Sequence, residues 1–320
     1  MNRRNFLSKT AGITLAALNG PFLLPSGPAT PLQEIPIVDT HQHLVDIKRF
    51  GKGWANPPVP GNYGIENYKK ATRGLNVVKA VYMEVAVSPE NRHQEAMYAL
   101  ELCRDNSNPT VAAVIKKDLL AEDFKDYMAQ FKDSPIKGIR GSFTSPEQIQ
   151  EDKIVENVQA LGKMDFSFDF SVPTSWLSPM TVLVRSCPGT KFLVNHCGNV
   201  DPRAFLSPGE LTGKADHDPE EWLADISTLA AEKNVVCKIS GVVTRSPGYP
   251  LSARNLAPAI NHCLDIFGPD RVMFASDWPW CLKSMDIRSW VEILKTVVEN
   301  RSLEDQRKLF HDNAVNFYNI

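Results

Sequence analysis

The stretch Ile35-Pro36-Ile37-Val38-Asp39-Thr40-His41-Gln42-His43 joins a short β-branched run to two histidines set two residues apart. Such a run reads as a buried strand, and if the strand continues through the histidines their imidazoles point to one face. Seven further runs follow: Val77 to Val85, Thr110 to Ile115, Ile136 to Gly141, Phe166 to Val172, Lys191 to His196, Val235 to Ser240 and Arg271 to Asp277. Longer amphipathic segments separate them, each with room for a helix. Eight β-α units in succession predict a parallel sheet. Residues 35–320 suit a single (β/α)8 barrel, typically about 250 residues with insertions. The alternative is an open doubly wound sheet, which favours a glycine-rich first turn for phosphate; the chain has neither G-x-G-x-x-G nor a P-loop. The expected fold class is therefore α/β, a TIM barrel.

One helix start is legible in Asp218-Pro219-Glu220-Glu221-Trp222, with an N-cap aspartate, a first-turn proline and a following glutamate. The connection from Gly198 to His217 before it is about 20 residues long, a length that usually has a functional reason.

Composition narrows the function classes. The 320 residues are 43% hydrophobic and 22% charged, with a formal net charge of −2, and no basic run offers a field for phosphate backbones. Nucleic acid is not an expected partner. Near the start, Arg3-Arg4, Phe6-Leu7 and the weakly apolar Ala11 to Leu18 resemble a twin-arginine export signal, which implies a periplasmic protein; a short amphipathic helix is the plainer alternative. That apolar stretch falls short of the roughly 20 residues a spanning helix needs, so stable membrane insertion is not expected. Pro21, Pro25, Pro28 and Pro31 then form a stiff linker, which divides the chain into a signal and linker, 1–34, and a barrel domain, 35–320. Cysteines 103, 187, 197, 237, 263 and 281 show no C-x-x-C spacing. Free buried thiols are expected, although an oxidising compartment would permit a bridge such as Cys187 to Cys197.

In a barrel, chemistry collects at the carboxyl ends of the strands. The polar residues there are His41 and His43 after the first run, Glu84, Arg140, Asp169, His196, Lys238, Ser240 and Asp277. Neutral imidazoles suit zinc or a similar divalent ion, and His196 with Asp277 would complete a set of three histidines and one carboxylate. Taken singly, His196 reads as a core histidine, Asp277 as a helix cap and Arg140 as half of a surface ion pair. Their common position at one end of the strands favours a site. Lys238 could instead reach an internal carboxylate, Asp169 or Glu84. Trp54, in the loop from Asp46 to Asn62, and Trp278 or Trp280 could stack on a sugar face. His93, His217, His262 and His311 have no converging partners in the pattern.

The blocks Val38-Asp39-Thr40-His41-Gln42-His43-Leu44, Gly138-Ile139-Arg140-Gly141, Asn195-His196-Cys197-Gly198 and Lys238-Ile239-Ser240-Gly241 resemble the amidohydrolase-related (amidohydrolase 2) family. The most specific block is Phe267-Gly268-Pro269-Asp270-Arg271-Val272-Met273-Phe274-Ala275-Ser276-Asp277-Trp278-Pro279. The resemblance is to the branch of sugar-acid lactonases and other lactone hydrolases. It implies a distorted TIM barrel, with His41, His43, His196 and Asp277 as the catalytic or metal-binding set, and Arg140 anchoring substrate. Glu84, Lys238, Ser240 and Trp278 complete the expected substrate contacts. Dinuclear members of the wider superfamily carry a lysine or histidine on strand 5, where this chain has Asp169 and Ser171, and strand 7 has no histidine. One divalent ion, zinc by choice, or none is therefore expected. The implied partner is a small lactone or sugar acid, and homo-oligomerisation is left open. A metal-dependent decarboxylase and a non-catalytic periplasmic carbohydrate binder are the rival readings.

Overall fold

Near-continuous apolar runs suit strands buried on both faces, with alternate side chains turned to a barrel interior and to surrounding helices. A computed structural model describes residues 35–206, 215–245 and 251–320; the Arg3-Arg4 segment with its proline linker, and residues 207–214 of the long connection, lie outside the described residues. The runs form β1 (Ile37–Gln42), β2 (Val77–Met83), β3 (Thr110–Ile115), β4 (Ile136–Arg140), β5 (Ser167–Phe170), β6 (Lys191–Val194), β7 (Val235–Ile239) and β8 (Val272–Phe274). They pair in sequence order, each parallel to the next. Helices Ile65–Ala71, Arg92–Arg104, Phe124–Ala129, Asp152–Lys163, Leu177–Ser186, Pro219–Ala230, Ala253–Phe267 and Ile287–Val297 alternate with the strands. The architecture is the (β/α)8 barrel.

β6 and β8 stop short of the sequence reading, at Val194 and Phe274 instead of His196 and Asp277. The physical reason is local: His196 (φ 58°) and Asp277 (φ 56°) have left-handed backbones, which no ladder accommodates. The seam between β8 and β1 is also irregular. Gln42 bridges Trp278 in parallel, His43 N–H donates to Trp278 O at 2.8 Å, and Thr40 Oγ1 donates to Phe274 O at 2.7 Å. Asp39 completes the closure. Its Oδ1 accepts from Ser276 N–H (2.8 Å) and His41 N–H (3.2 Å), and its Oδ2 from Tyr68 Oη (2.8 Å) and Ser276 Oγ (2.5 Å).

Val38, Val81, Met83, Ala112, Val114, Leu193 and Met273 fill the barrel, over a floor that includes Ala314 and Tyr318. Within this interior the Lys238 ammonium lies 2.6 Å from Asp169 Oδ2, both side chains wholly buried. Burial pushes Asp169 up and Lys238 down, each toward its neutral form, against their mutual attraction. The expected cap at Asp218 is present, its Oδ1 accepting from Glu220 N–H at 2.8 Å. All six cysteines are free and five are buried. Among the described residues no helix is long and apolar enough to cross a membrane.

Glu95 is a buried acid on the inner face of helix Arg92–Arg104. Its Oε1 accepts from Val85 N–H (2.6 Å) and Tyr82 Oη (2.9 Å), while Oε2 has no hydrogen-bond partner. Burial, helped by the nearby Glu84 charge, raises its pKa from 4.5 to about 8. The folded protein thus holds a proton that the unfolded chain has released. The associated stability is complete below pH 4.5 and is lost as pH rises through 8. In chemical denaturation from pH 4.5 to 8, wild type should lose on the order of a few kcal/mol relative to Glu95→Gln. Parallel pH profiles for the two proteins would contradict this.

Candidate active site

The two histidines on β1 meet the strand ends opposite. His41 and His43 have ring centroids 4.7 Å apart, and His41 and His196 are also 4.7 Å apart. Asp277 closes the group, its Oδ1 lying 3.8 Å from His41 Nε2 and 3.5 Å from His43 Nε2. All four residues are buried, with at most 7% of any of them exposed. One ligand atom from each of His41, His196 and Asp277 falls within 4.8 Å of the other two. His43 borders that trio, its Nε2 lying 3.0 Å from His41 Nε2.

The tautomer of His43 follows from its partners. Nδ1 faces the carbonyl oxygens of Glu84 (2.8 Å) and Met83 (3.1 Å). A carbonyl only accepts, so Nδ1 carries the proton and the Nε2 lone pair faces inward. Ser240 Oγ holds His196 Nδ1 at 3.0 Å. Burial, with the neighbouring histidines, lowers the His41 pKa well below 6.5. Burial likewise brings His196 down to about 4, against the pull of Asp277. Both are neutral at pH 7, as metal ligands must be. Burial alone would raise Asp277, but His196, His43 and Arg140 outweigh it and keep the carboxyl below its usual range. One contact fits a bound cation. The inward lone pair of His43 meets His41 Nε2 at 3.0 Å, with Asp277 Oδ1 within 3.8 Å of the same atom, while His41 Nδ1 is buried without a hydrogen-bond partner. Neither tautomer of His41 satisfies every nitrogen, whereas imidazole and carboxylate donors in this number suit a zinc-like ion.

Above this group opens a pocket of about 310 Å³, whose wall includes His43, Glu84, Arg140, His196, Asp277 and Trp280. Arg140 Nη1 is 3.5 Å from Glu84 Oε1, and its side chain is 22% exposed, so donors remain available. Glu84 is held below its usual range: burial opposes this, but Arg140, Lys116 and the Ala86 N–H prevail. The Trp280 ring packs at 4.6 Å from His43. A larger cleft, about 460 Å³, opens at the opposite face near the starts of β4, β5 and β6 and contains none of these groups.

Three residues expected to contact substrate stand behind the pocket wall. Lys238 is spent on Asp169, Ser240 on His196, and Trp278 is buried against Tyr63 and Tyr68. Trp54 is likewise buried, stacked on Phe50 at 4.0 Å, and lines no part of the pocket. The other histidines lie outside the group: His217 Nε2 accepts from Asp201 N–H, His262 pairs with Ser227, His311 pairs with Asp312, and the His93 ring packs against Tyr127. Asn199, Thr244 and Arg245 also line the pocket. They follow β6 and β7 by a few residues, and only that position could have flagged them.

Gly241 allows the close packing of His196. Its φ is +67°, and a Cβ there would lie 2.4 Å from His196 Nδ1. Gly241→Ala should displace His196 and lower turnover by at least 10-fold with circular dichroism unchanged, because a misplacement near 1 Å can cost about 100-fold. Wild-type turnover in a folded variant would show that this contact does not set the His196 position.

The chain is similar to several known proteins. An L-fucono-1,5-lactonase of Burkholderia multivorans (strain ATCC 17616 / 249) is 24% identical over 291 residues, 88% of this chain and 95% of its own. A crystal structure of an amidohydrolase from Burkholderia multivorans with bound zinc superposes with a TM-score of 0.74 at 22% identity, covering 89% of this chain and 99% of that one. The 5-carboxyvanillate decarboxylase of Novosphingobium aromaticivorans DSM 12444, solved with manganese, shares the fold at a TM-score of 0.59 and 15% identity, covering 90% and 97%. The family model described as Amidohydrolase matches residues 38–320, and the chain belongs to that family of hydrolases.

Proposed function

We propose that this enzyme opens the ring of a sugar-acid lactone or a related carboxylate-bearing lactone, with Asp277 as general base. The observation that carries the reading is the convergence of three buried imidazoles and one ionised carboxylate beneath a pocket walled by Arg140 and Glu84. The likeness to an L-fucono-1,5-lactonase supports the substrate class. His41, His196 and Asp277, with His43 beside them, would hold a divalent ion. When bound, such an ion supplies Lewis acidity toward an oxygen that is gaining negative charge.

The chain's own groups account for the proton movements. Asp277 takes a proton from water as the water oxygen bonds to the lactone carbonyl carbon, then returns it to the ring oxygen as the carbon–oxygen bond breaks. The product is a hydroxy acid, which releases its carboxyl proton to solvent. Arg140 donates to a substrate carboxylate or hydroxyl, and Glu84 both accepts from hydroxyls and fixes the guanidinium. Trp280 offers an aromatic face to the ring.

Zinc-supplied protein should acidify a pH-indicator solution in the presence of at least one aldonolactone or muconolactone. Asp277→Asn should reduce that rate by about 10²- to 10⁴-fold, and Arg140→Gln should raise KM more than it lowers kcat. Failure of wild type to open any lactone in the panel would sink the proposal. A decarboxylase is the rival on the same fold, supported by the 5-carboxyvanillate decarboxylase likeness; it predicts carbon dioxide release from aromatic acids with no lactone turnover. A carbohydrate binder predicts no turnover and unchanged sugar affinity in Asp277→Asn.

Export is part of the proposal and rests on Arg3-Arg4 with the apolar stretch behind it. Replacing both arginines with lysine should leave the protein in the cytoplasmic fraction of its host. Unchanged periplasmic recovery would refute a twin-arginine route.

A further inference from the structure

Cys197, Cys237 and Cys263 come from three separate elements: the turn after β6, β7 itself, and helix Ala253–Phe267. Each is fully buried, and their Sγ atoms all lie within 4.8 Å of one another. The proposed reaction uses none of them. A three-coordinate thiolate site with metal–sulfur bonds of about 2.3 Å places its sulfurs about 4 Å apart, so the observed spacing is within a small side-chain adjustment of closure. Among the described residues no histidine or carboxylate joins this cluster. An all-sulfur set of three selects soft, thiophilic ions and is a poor match for magnesium, calcium or manganese. We propose that Cys197, Cys237 and Cys263 form a second metal site, a buried trigonal thiolate centre for a soft d10 cation such as Cd(II) or Cu(I).

The centre is separate from the histidine–aspartate group in its ligands, yet it lies directly behind it. Cys197 follows His196 in the chain, in a turn where His196, Cys197, Gly198 and Asn199 all have positive φ. The Cys197 carbonyl accepts from Trp222 Nε1 at 3.1 Å, so the turn is already anchored on one side. An ion bound to Cys197 Sγ would pull on the other side and change the setting of His196. Each thiol that ligates releases its proton to solvent, so binding acidifies an unbuffered solution. The alternative is that the three cysteines only fill core volume as small apolar side chains.

The decisive experiment is a Cd(II) titration of the full-length protein already supplied with zinc, under a phosphine reductant and without oxygen. A Cys103→Ser background removes the one partly exposed thiol. An ultraviolet thiolate-to-cadmium charge-transfer band saturating at one ion per chain, with proton release, is the expected result. Cys263→Ala and Cys237→Ala should each abolish the band while keeping the wild-type circular dichroism spectrum. His41→Ala should retain it, since the catalytic histidine contributes no sulfur. Absence of the band in the parent, or its persistence in the folded cysteine variants, would overturn the proposal. The readout is spectroscopic, so it stands or falls independently of the lactone assay.

Discussion

The Asp39 carboxylate ties the barrel shut, and the site depends on that tie. A barrel removes its sheet edges only if the last strand meets the first, yet β8 has three residues and the seam has no regular ladder. One buried side chain reinforces the few backbone contacts there by accepting four hydrogen bonds, from His41 N–H, Tyr68 Oη, and both the N–H and Oγ of Ser276, the last two crossing the seam. Bonds to an ionic acceptor are roughly twice as strong as neutral ones. Losing the acceptor would leave buried donors unpaired at about 1–3 kcal/mol each. The tie has a catalytic consequence because Ser276 precedes Asp277 and His41 follows Asp39 by two residues. The carboxylate thereby helps to set the distance between Asp277 and the histidine pair.

Once the seam is fixed, the remaining residues of the group are aimed by backbone strain and by groups outside the pocket. His196 and Asp277 occupy left-handed conformations, which cost roughly 1–2 kcal/mol for residues with a Cβ. That cost turns each side chain out of its strand direction and into the mouth. Carbonyls of Met83 and Glu84 orient His43, and Ser240 orients His196. Packing around the site leaves little slack, as the fit of His196 over Gly241 shows. Beneath it, the Lys238–Asp169 pair spans the interior from β7 to β5. Removing either partner alone would leave an uncompensated buried charge, which typically costs about 3–5 kcal/mol.

The fold was legible in the sequence because its signals are local. Each strand is a short apolar run, and the Asp218-Pro219 cap announces itself within a few residues. The histidine pair and Asp277 were legible because barrel chemistry sits at strand ends. Side-chain pairing across the barrel is not a local property, and there the sequence is silent. Lys238, Ser240 and Trp278 have strand-end positions like those of true pocket residues, and only their partners separate them. Asp39 looks like any polar residue inside a motif, although it accepts bonds from residues 29 and 237 positions away. Glu95 sits in a helix with little segregation of apolar from polar residues, and nothing in its neighbours along the chain marks it as a buried acid that retains its proton.

Glu95 also explains how the mouth keeps its charge pattern. Glu84 and Glu95 are close enough to feel one another, and two such carboxylates do not both ionise readily in a buried setting. Arg140, Lys116 and the Ala86 N–H all favour the charged form of Glu84. Glu95 has only Val85 N–H and Tyr82 Oη as donors, and its second oxygen has none. The shared electrostatic cost is therefore resolved unequally, with the proton on Glu95 and the charge on Glu84. Environments that push two acids apart in this way are how a site assigns different roles to like residues. Here the division leaves an anion at the pocket wall to hold the Arg140 guanidinium. The guanidinium lines the pocket beside a carboxylate whose charge is favoured by a neighbour that keeps its proton.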